Sequence, residues 1–260
     1  MLELRKFAST TGAGLPNPLA PRPLRLKFLI VFHFDPLYLA FLLPGMLLSF
    51  WASARVKSTF NKYSQIASRR GWTGAAAARE LIKQRGADGV RVEETPGFLS
   101  DHYDPSARVL RLSPDVYHGR SLAALGVAAH EAGHAIQHAK KYGPLSFRSL
   151  VVKPAMIGSN LAPIIATAGF FMQSANLVWL GVFTFSAFVL FTLVTLPVEF
   201  DASNRAVAAL QETGMIDAAE VPGARAVLRA AAMTYVASAV SAILQLLYFV
   251  LRANSMNDRD

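Results

Sequence analysis

The chain has 260 residues, 53% of them apolar and 17% charged, with a formal net charge of +9 and no cysteine. That apolar share exceeds what a water-soluble globule usually carries and points to lipid, while the missing cysteines exclude disulfides and thiolate zinc sites, leaving His, Asp and Glu as the only metal ligands. Lys and Arg are scattered or sit beside apolar runs, with no basic helix face and no basic patch interleaved with aromatics, so the charge belongs to the membrane interface and not to nucleic acid.

In chain order, residues 1–33 include the Pro-rich "GLPNPLAPRPLR" and are expected to be a disordered N-terminal extension. From Pro36 to Ala54 no charge occurs, and at about 1.5 Å per residue this run nearly crosses a bilayer core of roughly 30 Å, making it the first span. A cleavable signal peptide is the rival reading, but the apolar stretch runs too long for one and is followed by basic Arg55 and Lys57.

Residues 55–150 are the one large polar portion and are expected to fold in water as the catalytic domain. "WTGAAAARELIKQRG" has Thr73 as a helix cap and Gly86 as a stop. "VRVEE" and "ARVLRLS" alternate apolar with polar residues, the period of half-buried strands, and "FLSDHYDP" between them reads as a turn or loop. A helix is expected over Ser121 to Lys140, with Ser121 as cap and Lys140 and Lys141 at the negative end of its dipole. Between Pro154 and Val198 no charged residue occurs, and the polar "QSAN" at Gln173 to Asn176 divides the run into a transmembrane hairpin. Residues 199–229 follow as a segment expected to bear a metal ligand, and Ala230 to Leu251, between Arg229 and Arg252, forms the fourth span. Thr234, Tyr235, Ser238, Ser241 and Gln245 within it are expected to face neighbouring helices, where they can be hydrogen-bonded.

The helix at 121–140 carries "HEAGH". His130 and His134, four residues apart, project from one face about 6 Å apart along the axis, close enough to share an ion. Glu131 is turned away by about 100° and can reach a water beside that ion without displacing it. This is the HExxH arrangement: Zn²⁺ acidifies its water and polarises the scissile carbonyl, and the glutamate takes the proton and passes it to the leaving amine. Chance placement would yield roughly 0.004 such patterns in a chain of this composition, so chance is a poor explanation. The reaction class is peptide or amide hydrolysis.

A third ligand is still needed. His138 continues the face but lies about 12 Å along the axis from His130, too far for one ion with bonds of ~2.1 Å. The better candidate is Glu199, an acidic residue at the end of the third span, where it is costly and tends to have a function. The hairpin between them contributes two spans, so His130 and Glu199 emerge on the same side of the membrane. The plainer reading of Glu199 is an interfacial carboxylate paired with Arg205.

"VKSTFNKYSQIASRRGWTGAAAARELI", "DHYDPSARVLRLSPDVY", "AALGVAAHEAGHAIQHA", "TLPVEFDASNRA" and "AAAMTYVASAVSAILQLL" resemble, in that order, the YugP-like neutral zinc metallopeptidases, multi-pass bacterial membrane proteins. The resemblance covers roughly residues 34–252. It implies a mainly α membrane protein of about four transmembrane helices with a small α+β, zincin-like catalytic domain. It implies one Zn²⁺ per chain in a gluzincin-type site, with His130 and His134 as ligands and Glu131 as general base. Glu199 is similar to the ligand glutamate of the HtpX and CAAX prenyl protease peptidases, which sits in an EFxAD-like segment. Here "EFDAS" puts Ser203 where those relatives place an aspartate, which leaves Ser203, Asn204 and Asp201 as candidates to orient the ligands instead.

The expected function is therefore a membrane-bound zinc endopeptidase acting on polypeptides, with "RVLRLS" as an edge strand that holds substrate. His102 and Tyr103 are candidates for stabilising the oxyanion. Two alternatives are a catalytically inactive metal-binding scaffold, which would not need Glu131, and a site-2-type intramembrane protease, for which "LAALGVAA" before His130 is too short an apolar run. The expected location is the inner membrane with the catalytic domain in the cytoplasm. Arg55, Lys57, Lys62, Arg69, Arg70, Lys140, Lys141, Arg148 and Lys153 flank that domain, against Arg22, Arg25, Lys27 and Arg252 on the other side.

Overall fold

In a computed structural model of the chain, residues 35–257 are described, and the expected extension at 1–33 lies outside them. The chain divides into units Met1–Leu39 and Ala40–Asp260. Of the first, the described part is the opening turn of helix α1 (Pro36–Ser64), where Asp35 Oδ1 accepts a hydrogen bond from Leu37 N at 3.1 Å. The second holds the rest of α1, then α2 (Gly74–Gln84), β1 (Arg91–Glu94), β2 (His102–Asp104), β3 (Val109–Leu112), α3 (Pro114–Tyr117), α4 (Leu122–Ala139), α5 (Gly143–Met172), α6 (Ala175–Glu212) and α7 (Val221–Asn257).

Among the described residues four helices, α1, α5, α6 and α7, are long and apolar enough to cross a membrane. Their outward faces carry Met46, Leu47, Phe50, Ile157, Ile164 and Phe183, with Phe50 77% and Phe183 72% exposed, an apolar surface that calls for lipid. The "QSAN" break is a tight reversal in which Gln173 takes a left-handed conformation at φ 51° and Ser174 Oγ accepts from Leu177 N at 3.5 Å. α5 and α6 then pack backbone to backbone: a Cβ added at Gly158 would sit 2.3 Å from Thr184 O. The helices outrun the apolar segments seen in the sequence, α1 continuing to Ser64 and α6 to Glu212. Charged residues lower hydropathy without breaking a helix, so hydropathy marks the lipid-matched part and not the helix end.

Between α1 and α5 the polar portion folds against the C-terminal part of α6 and the N-terminal part of α7. Leu81, Leu110, Leu112, Val116, Leu125 and Leu210 form its core. Thr73 Oγ1 caps α2 by accepting from Ala76 N at 3.2 Å, and Ser121 Oγ caps α4 by accepting from Ala124 N at 3.1 Å. The sheet has three strands in the order β1-β3-β2, with β1 parallel and β2 antiparallel to β3. Two expectations are corrected here. "RVLRLS" forms the central strand, not an edge, because Val109, Leu110 and Leu112 are all buried. "FLSDHYDP" contains the edge strand β2, whose three residues are too few for alternation to show. Its register is held by Arg111 Nη1 donating to Asp104 Oδ2 at 3.1 Å.

Candidate metal centre

Helix α4 is buried along almost its whole length, from Leu122 to Gln137, and its small residues are the reason other helices come so close. A Cβ added at Gly133 would lie 3.0 Å from Ala202 O, so the glycine inside "HEAGH" lets α6 settle against the histidine face. On α6, Glu199, Ala202 and Ser203 fall at helical spacing of three and four and present one face to α4. Buried Glu199, 1% exposed, is thereby brought to His130 and His134.

Glu199 Oε2 lies 3.2 Å from His130 Nε2 and 3.5 Å from His134 Nε2. Two ligand atoms on a tetrahedral zinc with bonds of ~2.0–2.1 Å are separated by about 3.3–3.4 Å, so these atoms have the spacing of a metal's coordination shell. The ring planes stand at 80°, and ligand atoms from all three residues fall within 4.8 Å of one another. The tautomers agree. Gln137 Nε2 donates to Val198 O at 3.0 Å and to Asp201 Oδ2 at 2.7 Å, which turns its Oε1 towards His134 Nδ1, 3.0 Å away. His134 must therefore donate from Nδ1, which leaves Nε2 as a lone pair facing Glu199. His130 Nδ1 is 3.2 Å from Ser203 Oγ, and donation to that hydroxyl leaves its Nε2 free in the same way. Two imidazole lone pairs and a carboxylate oxygen converging in a buried place repel one another unless a cation lies between them. The donor set fits zinc.

The same field acts on protons. Burial works against a charged His134, but a proton placed on Nε2 would bond Glu199, and that bond with the negative charges of Glu131 and Glu199 outweighs burial and raises the imidazole above its ordinary pKa. Asp101 also lies within the field of Glu131: burial raises its carboxyl, against the lowering effect of Ser113 N–H and Oγ–H at 2.7 and 3.0 Å, and the Glu131 charge raises it further. The other oxygen of the Glu199 carboxylate, Oε1, faces Arg148 Nη1 at 3.6 Å. Tyr235 of α7 lies within the field of Glu199. Neither Arg148 nor Tyr235 was assigned to the site from the sequence, since nothing in the spacing links them to His130.

Of the sequence candidates, the structure brings together His130, His134 and Glu199, with Glu131 on the same helix. It leaves His138 out: His138 Nδ1 pairs with Tyr103 OH at 2.8 Å. That bond, and the pairing of His102 with Ser100 O at 2.8 Å and Arg111 Nη1 at 3.4 Å, commits both oxyanion candidates elsewhere. Arg205 pairs with Asp201 at 2.5 Å and not with Glu199. Ser203 does stand against His130, Asp201 reaches His134 through Gln137, and Asn204 is exposed. Gln137→Ala should weaken zinc binding by about 10–100-fold, the usual cost of losing the partner that orients a ligand. Titration against a chelator would measure it, with Asn204→Ala as the unchanged control; parental affinity in Gln137→Ala would show that the relay does not matter.

Comparison with known proteins points to the same metal. The family model described as "Putative neutral zinc metallopeptidase" matches residues 38–254, and the chain belongs to that family. Over 215 residues the chain is 45% identical to "Putative membrane protease YugP" of Bacillus subtilis (strain 168), an alignment that takes in 83% of this chain and 96% of that protein. No solved structure matches this chain.

Proposed function

We propose that the chain is a membrane-bound zinc metalloendopeptidase of gluzincin type, with His130, His134 and Glu199 as the metal ligands, Glu131 as general base, and residues 55–150 as a zincin-like catalytic domain facing the cytoplasm. The observation that carries this reading is the 3.2 and 3.5 Å spacing of Glu199 Oε2 from the two imidazoles, beside a glutamate on the same helix. Zinc held there would polarise the scissile carbonyl and acidify a water. Glu131 accepts the water's proton as its oxygen bonds to the carbonyl carbon, then gives that proton to the amide nitrogen as the C–N bond breaks, leaving a carboxylate and an amine. Arg148 engages Glu199 Oε1 and so leaves Oε2 to the metal. The outer edge of β2 takes over the substrate-holding role first assigned to β3, since β2 lies next to α4 through the Tyr103–His138 bond. α4 is not among the four helices long and apolar enough to cross a membrane, which disfavours an intramembrane HExxH. Zinc-dependent hydrolysis of a quenched peptide by the purified protein tests the proposal, and hydrolysis indifferent to chelator and zinc would end it.

The cytoplasmic orientation makes a separate prediction, because basic residues near span ends set topology. The chain has no cysteine, so single thiols report cleanly. Gln65 and Asn176 are both exposed. Asn176→Cys should react with an impermeant reagent on intact cells, and Gln65→Cys should react only after the membrane is opened. The reverse pattern would invert the topology and leave the metal site as it is.

A further inference from the structure

Between α1, α6 and α7 lies a cleft of about 650 Å³, separate from the groups around Glu199. Along α1 its lining runs from Phe41 to Ser53, about 18 Å of helix. Its floor is built of small side chains. α1 and α7 touch where a Cβ added at Gly45 would lie 2.7 Å from Ser241 Oγ, and Ser49 Oγ is 3.3 Å from the same atom. Phe41, Met46, Phe50, Phe185 and Phe188 are its bulky lining residues. A small-residue floor between bulky walls is the shape against which apolar helices pack in a bilayer.

The polar atoms select the occupant. On α7, Thr234, Ser238, Ser241 and Gln245 recur at i, i+4, i+7 and i+11, and all four line the cleft. Thr234 and Ser241 donate to carbonyls of their own helix, Ala231 O at 2.7 Å and Ala237 O at 2.8 Å. The Ser238 hydroxyl and the Gln245 amide have no hydrogen-bond partner among the described residues. An amide left unpaired inside a bilayer is costly, and a hydrocarbon tail offers it nothing. A polypeptide helix with polar side chains of its own satisfies both groups. The Thr234 end of the cleft is also one residue from Tyr235, which lies within the field of Glu199. A helix seated in the cleft is therefore continuous with a chain that leaves the membrane towards the metal centre.

We propose that this cleft docks the membrane-spanning helix of the polypeptide to be cut, so that the substrates are membrane-anchored polypeptides cleaved beside their own span. The inference rests on the peptidase reading and adds the substrate class to it. The test uses purified protein with zinc in lipid vesicles and two substrates that share one cleavable linker. One is a free peptide, and the other is joined to an apolar transmembrane helix bearing a single cysteine. Ser238→Cys, combined with Glu131→Gln so that the substrate persists, should form a disulfide with that helix under mild oxidation, a readout that needs no hydrolysis. In otherwise unaltered protein, Gln245→Leu and Ser238→Phe should cut the anchored substrate about tenfold more slowly, the scale of one lost interhelical contact. The free peptide should be cut at about the parental rate, with zinc content unchanged. Equal slowing on both substrates, or a disulfide that joins only two copies of this chain, would overturn the docking proposal while leaving the peptidase reading in place. Failure of the parent protein to cut either linker would overturn the peptidase reading, and the proposal with it, even if the disulfide forms.

Discussion

Glu131→Gln is expected to lower turnover by about 10²–10⁴-fold, the usual contribution of a general base, while zinc stays bound. The substitution keeps the side chain's shape on a buried helix, so α4 has no reason to repack. It leaves the coordinating atoms alone: Gln137 still orients His134, Ser203 still stands against His130, and Arg148 still engages Glu199. What it removes is the ability to accept the water's proton, because an amide oxygen is too weak a base. The loss should therefore persist across the pH range, since an amide does not titrate, and metal content should match that of the parent. Peptide hydrolysis rates and zinc analysis on the same preparation decide it. Near-parental turnover in zinc-replete Glu131→Gln would sink the proposed role of Glu131, whatever the metal does.

The two halves of the site were not equally legible in the sequence. His130, Glu131 and His134 lie within five residues of one helix, and a period of 3.6 is enough to place them on adjoining faces. Glu199 is 65 residues beyond His134, and what linked it to them was hydropathy: two apolar runs return the chain to the side it left. Arg148 and Tyr235 carry no such signal. Each is one polar residue on a long helix, and its relation to Glu199 depends on how α5 and α7 rotate about α6, which close approaches such as that of Gly158 to Thr184 decide. Gln137 sits three residues after His134 on the same helix face, and had no role assigned from the sequence. That it orients His134 follows from where Asp201 and Val198 O lie, which is tertiary information. The β2 edge was missed for a related reason. A three-residue strand has almost no period, and its identity comes from pairing with Leu110 and its neighbours on β3.

Glu199→Ala should reduce zinc affinity by more than the about 10–100-fold that loss of an outer partner costs, and activity should fall with it. Removal of the carboxylate takes away the atom that both imidazoles face at 3.2 and 3.5 Å, and it leaves the Arg148 guanidinium beside the cluster with nothing to neutralise it. A positive charge beside an incomplete cation site opposes binding a second time. His138→Ala is the matched comparison on α4. His138 is another histidine one turn beyond His134, but its ring is committed to Tyr103 OH, so its loss disturbs the contact between α4 and β2 and not the coordinating atoms. Zinc content in His138→Ala should equal that of the parent. Chelator competition on both variants separates the cases. Parental zinc affinity in Glu199→Ala, or equal weakening in the two, would remove Glu199 from the ligand set and return the search for the third ligand to the helices that surround α4.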